Sequence, residues 1–370
     1  MAMDWKSVLL LCLVSTSGLT AIMACLKAFE RRANTFLLAL IVAWALLATP
    51  LIIGFSGAYQ AFPGLTFAPF NTEFWMGPLW FAYIKTLTHG RVSRHDYYWF
   101  IPGIIQTLYY SCCFFFLGAP EAKFIYNANV HGPIIAPLET LLGLSLSAVT
   151  LFLSWQTMKA YKAWLPSAHG NTRLYELVWL ERLLWAVLGL FGLWVLTDIW
   201  QEMFTHFTYF QTFWLFVVSG TALTYIACEA LSKSHLRFPK ITFVERTVTL
   251  VDASSKVIES LDQIRQKIKT EGWHRDPDLS LSKLARKLAV SQSSLSRRIN
   301  AAPGQNFSRL INAIRIAEIC EILSTADTRQ NLLNLALDTG FGSKATFNRA
   351  FKAETGQSPR EWLQVLKATG

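Results

Sequence analysis

Seven segments within residues 1–230 are apolar over the length that a helix needs to cross a lipid bilayer. A helix rises about 1.5 Å per residue, so about 20 apolar residues span the hydrocarbon layer. Such runs predict helices because that layer offers no water to backbone N–H and C=O groups, and a helix satisfies these groups internally. The predicted spans are 7–26, 33–55, 72–88, 97–118, 134–155, 179–200 and 209–230.

The basic residues between these segments alternate along the chain. Loops one, three and five carry several Lys and Arg residues, loop four carries one, and loops two (56–71) and six (201–208) carry none. Cytoplasmic loops of membrane proteins are enriched in Lys and Arg. The alternation therefore predicts an N-terminus outside and a C-terminal region in the cytoplasm. The loop cations are Lys27, Arg31, Arg32, Lys85, Arg91, Arg94, Lys123, Lys159, Lys162 and Arg173.

The first apolar segment also has a second interpretation. Lys6, an apolar core and small residues are typical of a cleaved signal peptide. Cleavage would leave six spans and would place the basic segment "KAFERR" and the C-terminal region on opposite sides of the membrane. The charge alternation favours the seven-span interpretation, in which residues 1–230 form one membrane domain.

Residues 231–370 differ from the membrane half in charge. Residues 1–230 contain 12 Lys and Arg against 11 Asp and Glu, whereas residues 231–370 contain 22 against 13. A basic excess confined to one part of a chain indicates a polyanionic partner, either nucleic acid or anionic lipid. We expect 231–275 to be a cytoplasmic connector with an amphipathic helix over 255–271, and 276–370 to be a second helical domain.

Two similar patterns recur within this second domain. Each has an apolar stripe at helical spacing, a short turn, and a serine that caps a second helix carrying cations. Ser280 and Ser291 cap the two helices of the first pattern. In the second, Gly340 suits a left-handed turn and Ser343 caps the following helix.

A further helix over 308–323 joins the two patterns. The layout is typical of paired helix-turn-helix units, in which one helix braces the next against the major groove of DNA.

Residues from about 262 to 370 resemble the DNA-binding domain of AraC/XylS-type bacterial transcription regulators. The resemblance is carried by "LSLSKLARKLAVSQSSLSRRIN", "FSRLINAIRIAEICEIL" and "NLALDTGFGSKATFNRAFKAETGQSP". With the apolar first half, the chain is similar to the membrane-anchored members of that family. The resemblance implies an all-α protein, with a seven-helix transmembrane bundle followed by an all-helical domain with two helix-turn-helix motifs. In one departure, "NAAPGQNF", Pro303 and Gly304 are expected to end the first recognition helix early.

The resemblance also implies a set of DNA-contacting residues. Arg is suited to guanine O6 and N7, Ser and Thr to several bases, and Ala to the thymine methyl group. Other cations nearby are candidates for phosphate contacts, which position a protein without specifying sequence. The alternative is a solvated cationic face. The base-facing candidates are Ser293, Ser296, Arg297, Lys344, Ala345, Thr346 and Arg349, and the phosphate candidates are Arg298, Arg309 and Lys352.

A DNA-binding domain attached to a membrane domain implies a signal that acts in or across the membrane. Asp198, Glu202 and His206 are spaced four residues apart near the outer end of the sixth span, with Glu139 and His131 expected on the same side. Acidic residues near spans are costly and often functional, so this cluster is a candidate site for a cation, a proton or an amine. The alternative is an ordinary polar helix end among lipid headgroups.

The sequence therefore predicts a one-component transcription regulator in the bacterial cytoplasmic membrane. Its expected partners are double-stranded DNA, the lipid bilayer, a second copy in a homodimer, and a small-molecule or ionic signal. The sequence has no HExxH, nucleophile elbow or phosphate loop, and its cysteines lack metal-ligand spacing, so we expect neither an enzyme nor a bound cofactor or metal.

A different class of protein remains open. The first half would then be a receptor or transporter whose basic tail binds anionic lipid or a partner protein. Lipid-binding tails need a basic stripe, however, and not two capped helix pairs with buried apolar residues.

Overall fold

A computed structural model describes residues 4–172, 175, 177–204, 212–241, 261–301, 304–325 and 332–369. Within these ranges the chain forms helices and no strand, which confirms the predicted all-α class. The contacts between residues divide the chain into two compact units. The first comprises Met1–Lys159 and Leu177–Ile241, and the second comprises Ala160–Glu176 and Thr242–Gly370.

The first unit contains a helix at each of the seven predicted spans, and it is called the membrane unit below because the sequence predicts that it spans a bilayer. Five helical stretches of the described chain are long and apolar enough to cross a membrane: Trp5–Lys27, Arg31–Phe55, His95–Phe116, Pro120–Ala168 and Phe213–Ser232. The helices are α1 Trp5–Lys27, α2 Arg31–Phe55, α3 Ala58–Ala61, α4 Glu73–His89, α5 Ile101–Phe116, α6 Pro120–Tyr126, α7 Ala136–Ala168, α8 Val178–Phe204 and α9 Phe213–Ser232. Short 3-10 turns lie at Pro63–Leu65 and His95–Phe100, and a π-helical stretch, Asn127–Ile135, leads into α7.

Helices α1, α2, α4 and α9 pack closely in the membrane unit, with α1 against α2 and α9 and α2 against α4. Small residues allow this approach, since a Cβ added at Gly220 of α9 would meet the Trp44 ring of α2 at 2.5 Å. Polar side chains bond across the same helices: Trp44 Nε1 donates to Ser219 Oγ at 2.9 Å, and Asn34 Nδ2 donates to Ala24 O at 3.1 Å. In a lipid bilayer, apolar side chains gain little by moving from lipid to protein. Helices there are held together by close packing of small residues and by interhelical hydrogen bonds.

The second unit contains seven helices in its described parts, together with a 3-10 turn at Trp273–Arg275. One long helix, α13, contributes to two separate apolar cores. Its first half, with Phe307 and Ile311, packs with α10, α11 and α12, whereas its second half, with Ile319 and Leu323, packs with α14, α15 and α16. The helices are α10 Leu261–Thr270, α11 Leu281–Lys287, α12 Gln292–Ile299, α13 Phe307–Thr325, α14 Leu332–Asp338, α15 Lys344–Thr355 and α16 Pro359–Thr369.

The helices of the second unit match those expected from the sequence within a few residues at each end. The predicted amphipathic helix over 255–271 is present as α10 from Leu261, and 255–260 lie outside the described residues. Helix α12 ends at Ile299, so the first recognition helix does stop before Gly304, while Pro303 itself lies outside the described residues.

The compact units do not coincide with the predicted boundaries at residues 230 and 275. Residues 231–241 belong to the membrane unit, and Ala160–Glu176, which include the last turns of α7, belong to the second unit. The predicted fifth loop therefore contributes a structured part of the second unit, which no local sequence pattern indicates.

Candidate nucleic-acid interface

Two helix pairs in the second unit have the same turn. In helix pair 1 (α11–α12), Val290 N donates to Ala285 O at 3.0 Å, and in helix pair 2 (α14–α15), Phe341 N donates to Ala336 O at 2.9 Å. In each pair the residue just before the donor has a positive φ, and each turn therefore reverses the chain in the same sense.

Serine side chains start the second helix of each pair, as the sequence predicts. Ser291 Oγ accepts a hydrogen bond from Ser294 N at 3.1 Å, and Ser343 Oγ accepts one from Thr346 N at 3.3 Å. Ser280 caps α11 in the same way. Each cap satisfies a backbone N–H that the helix itself leaves unpaired, and it fixes where α12 and α15 begin.

The predicted base-facing residues lie on the faces of α12 and α15 that point away from the cores. Leu295 and Ile299 of α12 and Phe347 and Phe351 of α15 are buried behind them. Both second helices therefore present a polar, cationic face. On these faces Ser293, Arg297, Lys344, Arg349 and Lys352 are exposed, and Ser296, Arg298, Ala345 and Thr346 are partly exposed.

Some of these side chains already have partners within the second unit. Asn300 Nδ2 donates to Ser296 Oγ at 3.3 Å, and Arg309 forms an ion pair with Glu354 at 3.9 Å. Arg349 Nε donates to Ala345 O at 3.4 Å, on its own helix. These exposed contacts are weak, because water and salt compete for the charged groups, so the arginines remain available to a phosphate or a base.

A buried arginine on α13 fixes the segment that lies between the two helix pairs. Arg315 Nε donates to His274 O at 2.7 Å, and its terminal nitrogen donates to Asp276 O at 2.9 Å. Its guanidinium lies 5.5 Å from the centre of the Phe341 ring in the turn of helix pair 2. Burial lowers the pKa of Arg315 to about 10, with Asp276 opposing the shift, so the side chain stays charged near neutral pH.

Glu318, one turn further along α13, binds the same segment. It accepts hydrogen bonds from His274 Nε2 and, at 3.0 Å, from Arg275 Nε. Burial raises the pKa of Glu318, but the bonds from Arg275 and His274 outweigh burial and hold that pKa below its usual range. The carboxylate and the guanidinium together attach residues 274–276 to α13, so the spacing between the helix pairs does not depend on α13 alone.

The segment after α7, residues 169–172, packs against the residues that lead into α11, against α13 and against the turn of helix pair 2. Gly170 N donates to Leu279 O at 3.2 Å, and Ser308 Oγ donates to Gly170 O at 3.0 Å. Asn171 is buried and lies against Gly342 in the turn of helix pair 2. Sequence reasoning missed these residues because a short loop with Gly and Asn reads as an ordinary connection.

The predicted sensing residues fall into two groups. Tyr110 OH donates to Glu139 at 2.9 Å, and the Tyr110 and His131 rings lie 5.7 Å apart, so Glu139 and His131 do come together around one tyrosine. Asp198 and Glu202 belong to α8, but their side chains, and His206 altogether, lie outside the described residues. Among the described side chains, no group of three or more His, Cys, Asp or Glu is placed to hold a metal ion.

A family model described as a helix-turn-helix domain matches residues 284–364. This match begins within α11, includes α12 to α15 and ends within α16. The C-terminal region carries an AraC-type helix-turn-helix domain.

Proteins similar to this region are bacterial. Uncharacterised HTH-type transcriptional regulators of Staphylococcus aureus strains MSSA476 and N315 are each 32% identical to it over 109 residues. The match covers 30% of this chain and 14% of each regulator, so the chain spans about a seventh of the length of these relatives. Among solved structures, the C-terminal domain of AraT, a response regulator from Geobacillus stearothermophilus, is 28% identical. That likeness covers 30% of this chain and 88% of that one, with a TM-score of 0.26.

Proposed function

We propose that the chain is a membrane-bound one-component transcription regulator. It binds a specific DNA site through two helix-turn-helix units, helix pairs 1 and 2, and acts as a homodimer in the bacterial cytoplasmic membrane. A signal sensed by the membrane unit controls this binding. The sequence has no HExxH, nucleophile-elbow or phosphate-loop motif, and the similar proteins are named as regulators, which favours a non-enzymatic role.

The observation that carries the proposal is the repetition of one turn, one serine cap and one exposed cationic face in α11–α12 and α14–α15. A lone cationic helix is usually a solvated surface. Two capped helix pairs that both pack on α13 present two such faces within one compact unit. This arrangement suits contacts with successive major-groove segments of one DNA site.

The proposed topology has seven spans and places the second unit in the cytoplasm. Five apolar helical stretches support membrane insertion, and the Lys and Arg alternation of the loops supports the orientation. A periplasmic reporter fused after residue 125 is expected to be active, and the same reporter fused after residue 90 is expected to be silent. Activity after both residues, or after neither, would contradict this topology.

The continuity of α7 supports a route for the signal. This helix runs without a break from Ala136 to Ala168, and its last turns, from residue 160, belong to the second unit. A change in the membrane unit that moves α7 along or around its axis would therefore move residues 169–172. Gly170 in this segment hydrogen-bonds to Leu279, which lies just before helix pair 1.

DNA binding is tested with the full chain in nanodiscs of neutral lipid. We expect it to select sequences from a pool of random 30-bp duplexes, with two half-sites about one helical turn apart. Binding is expected to weaken steeply with salt, because phosphate contacts release counterions. Arg297→Ala and Arg349→Ala are expected to relax the selection at one half-site each.

The matched control is Arg265→Ala, which removes one positive charge from α10, a helix that packs on α13 and the turn before α11. This variant is expected to retain the wild-type sequence selection. Binding to anionic vesicles with no selection from the DNA pool would instead support a receptor or transporter with a lipid-binding tail.

A further inference from the structure

A cavity of about 810 Å³ lies among the helices of the membrane unit. Small-molecule sites in proteins have volumes of roughly 300–1,000 Å³, so the cavity could enclose a ligand of ordinary size. Its wall is formed by residues of α2, α3, α4, α5, α7, α8 and α9 and of the segment between α3 and α4. Of the described residues that line it, Glu73 alone carries a formal charge.

The rest of the wall is mostly apolar and rich in aromatic rings, among them Trp44, Trp80, Phe67 and Phe216. The faces of aromatic rings attract cations, and tryptophan does so most strongly. A wall of this kind with one carboxylate matches a molecule that has an apolar body and one positive charge.

Hydrogen bonds hold the polar lining residues in place. Trp44 Nε1 donates to Ser219 Oγ at 2.9 Å, which fixes the indole ring between α2 and α9. Asn71 Nδ2 donates to Tyr110 OH at 3.0 Å, and Asn71 Oδ1 accepts from Glu73 N at 3.3 Å. Asn71 therefore ties the start of α4, where Glu73 lies, to Tyr110 on α5.

A second carboxylate, that of Glu139, lies on the far side of Tyr110 and does not line the cavity. Tyr110 OH donates to Glu139 Oε2 at 2.9 Å, and Gln106 Nε2 lies 3.5 Å from Glu139 Oε1. Lys123 is not among the lining residues, and its ammonium donates to Gly64 O at 2.7 Å and lies over the Phe114 ring. The side chains of Glu73 and Glu139 thus lie on either side of Tyr110 at this end of the cavity.

The same end of the cavity faces the outer side in the proposed topology. Tyr59, Leu65, Phe67 and Asn71 belong to the loop that carries no Lys or Arg, and the charge alternation assigns this loop to the outside. A ligand would then reach Glu73 from outside the cell without crossing the membrane.

We propose that this cavity binds an organic cation with an apolar body, such as an arylalkyl amine or a quaternary ammonium compound. Glu73 supplies the counter-charge, and Trp44 and Trp80 supply the aromatic wall. The role of this cavity as the signal site rests on the proposed function, whereas the binding of an organic cation does not.

The proposal is tested by equilibrium dialysis of the full chain in neutral nanodiscs, with empty nanodiscs as the blank. The probes are benzyltrimethylammonium and its uncharged carbon isostere, neopentylbenzene. We expect saturable binding of the cation, at least tenfold tighter than that of the isostere. Glu73→Gln, which keeps the shape and removes the charge, is expected to weaken cation binding at least tenfold and to leave isostere binding unchanged.

Two further variants make the result specific. Glu121→Gln removes an exposed carboxylate of α6 that does not line the cavity, and it is expected to bind as the wild type does. Glu73→Asp keeps the charge and is expected to recover part of the affinity, which a variant that merely fails to fold would not do. Equal binding of both probes, an undiminished Glu73→Gln variant, or no saturable binding of the cation would each overturn the proposal.

Because no DNA enters this assay, its outcome is independent of the regulator proposal. DNA selection repeated with and without benzyltrimethylammonium then tests the link between the two. Cation binding without a change in DNA selection would leave the ligand site standing and contradict its role as the signal site.

Discussion

Helix pairs 1 and 2 have the same type of turn, but a different residue occupies the left-handed position in each. Ala289 has φ +54° in helix pair 1, whereas Gly340 has φ +95° in helix pair 2. Ala289 is exposed, but a Cβ added at Gly340 would lie 2.7 Å from the carbonyl oxygens of His274 and Arg275. The left-handed turn alone therefore tolerates alanine, and glycine is required only where a second segment of backbone packs against the turn.

The cores behind the two turns also differ. The buried side chains of α11 and α12 are aliphatic and pack with Phe307 of α13, whereas Phe341, Phe347 and Phe351 pack edge to face in helix pair 2, with successive ring centres 5.6 Å apart. Trp362 of α16 extends this stack at 5.8 Å from Phe351. Helix pair 2 thus packs on an aromatic core and on residues 274–275, whereas helix pair 1 shares its core with α10 and the first half of α13.

Gly340→Ala is expected to have the largest effect. The left-handed conformation costs about 1–2 kcal/mol for a residue with a Cβ, and forcing an atom into a packed space costs about 1–3 kcal/mol more. We expect the free energy of opening of α14–α15 to fall by about 2–5 kcal/mol, the sum of these two costs. Hydrogen exchange of the α14 and α15 amides in the full chain measures this quantity.

Gly356→Ala is the matched control. Gly356 also has a positive φ, +80°, but an added Cβ would meet no atom within 4 Å. We expect only the conformational cost of about 1–2 kcal/mol. If the two variants lose the same stability, residues 274–275 do not determine the need for glycine in helix pair 2.

Arginine replacements test whether both helix pairs read DNA. Arg297→Ala and Arg349→Ala are each expected to weaken specific binding by about 1–3 kcal/mol, the value of one good base contact. The salt dependence of nonspecific binding is expected to change little. If only one of the two variants loses specificity, the pairs are not equivalent and one of them merely braces the other.

Acid is expected to loosen the attachment of residues 169–172. Burial lowers the pKa of His169 to about 4, with Asp278 opposing and Lys283 reinforcing the shift, against an ordinary value of about 6.5. Between these values the detached segment binds a proton that the packed segment does not, so packing weakens as pH falls from about 6.5 towards 4. The packing of this segment is unaffected by pH above about pH 7.

Protection of the Gly170 amide from hydrogen exchange, corrected for the intrinsic rate, reports this packing, since Gly170 N donates to Leu279 O. In His169→Gln, which does not titrate, protection is expected to be constant from pH 7 to pH 5. A decline in protection that persists in this variant would show that another group is responsible.

Ala289→Gly is expected to have the smallest effect. Removing the Cβ relieves the left-handed strain of about 1–2 kcal/mol, and the greater freedom of glycine in the unfolded chain offsets about 0.5–1 kcal/mol of this gain. Exchange of the α11 and α12 amides is expected to show a net gain between about 0 and 1.5 kcal/mol. Ala353→Gly, on an exposed face within α15, is expected instead to lose about 1 kcal/mol.

Local patterns predicted much of the second unit. The caps at Ser280, Ser291 and Ser343 and the turn at Gly340 depend on a few neighbouring residues, so the sequence carries them directly. The contacts of Arg315 and of Gly170 join residues 39 and 138 positions away in the chain, and no periodicity reveals such pairs.

The sequence predicted the helices of the membrane unit but not its cavity. The helices follow from apolar length, but tryptophan and phenylalanine at helical spacing fit packing as well as a ligand wall. The candidate sensing cluster included Glu139, which lies behind Tyr110, and omitted Glu73, because an acidic residue at the start of a helix reads as an ordinary polar end.

The central claim is that the chain binds specific DNA from the membrane, and genome-wide mapping of DNA crosslinked to the full chain in membrane fractions tests it most directly. We predict discrete sites that share a two-part motif and that are lost when Arg297→Ala and Arg349→Ala are combined. Enrichment that is absent, or that the double variant retains unchanged, would contradict the account.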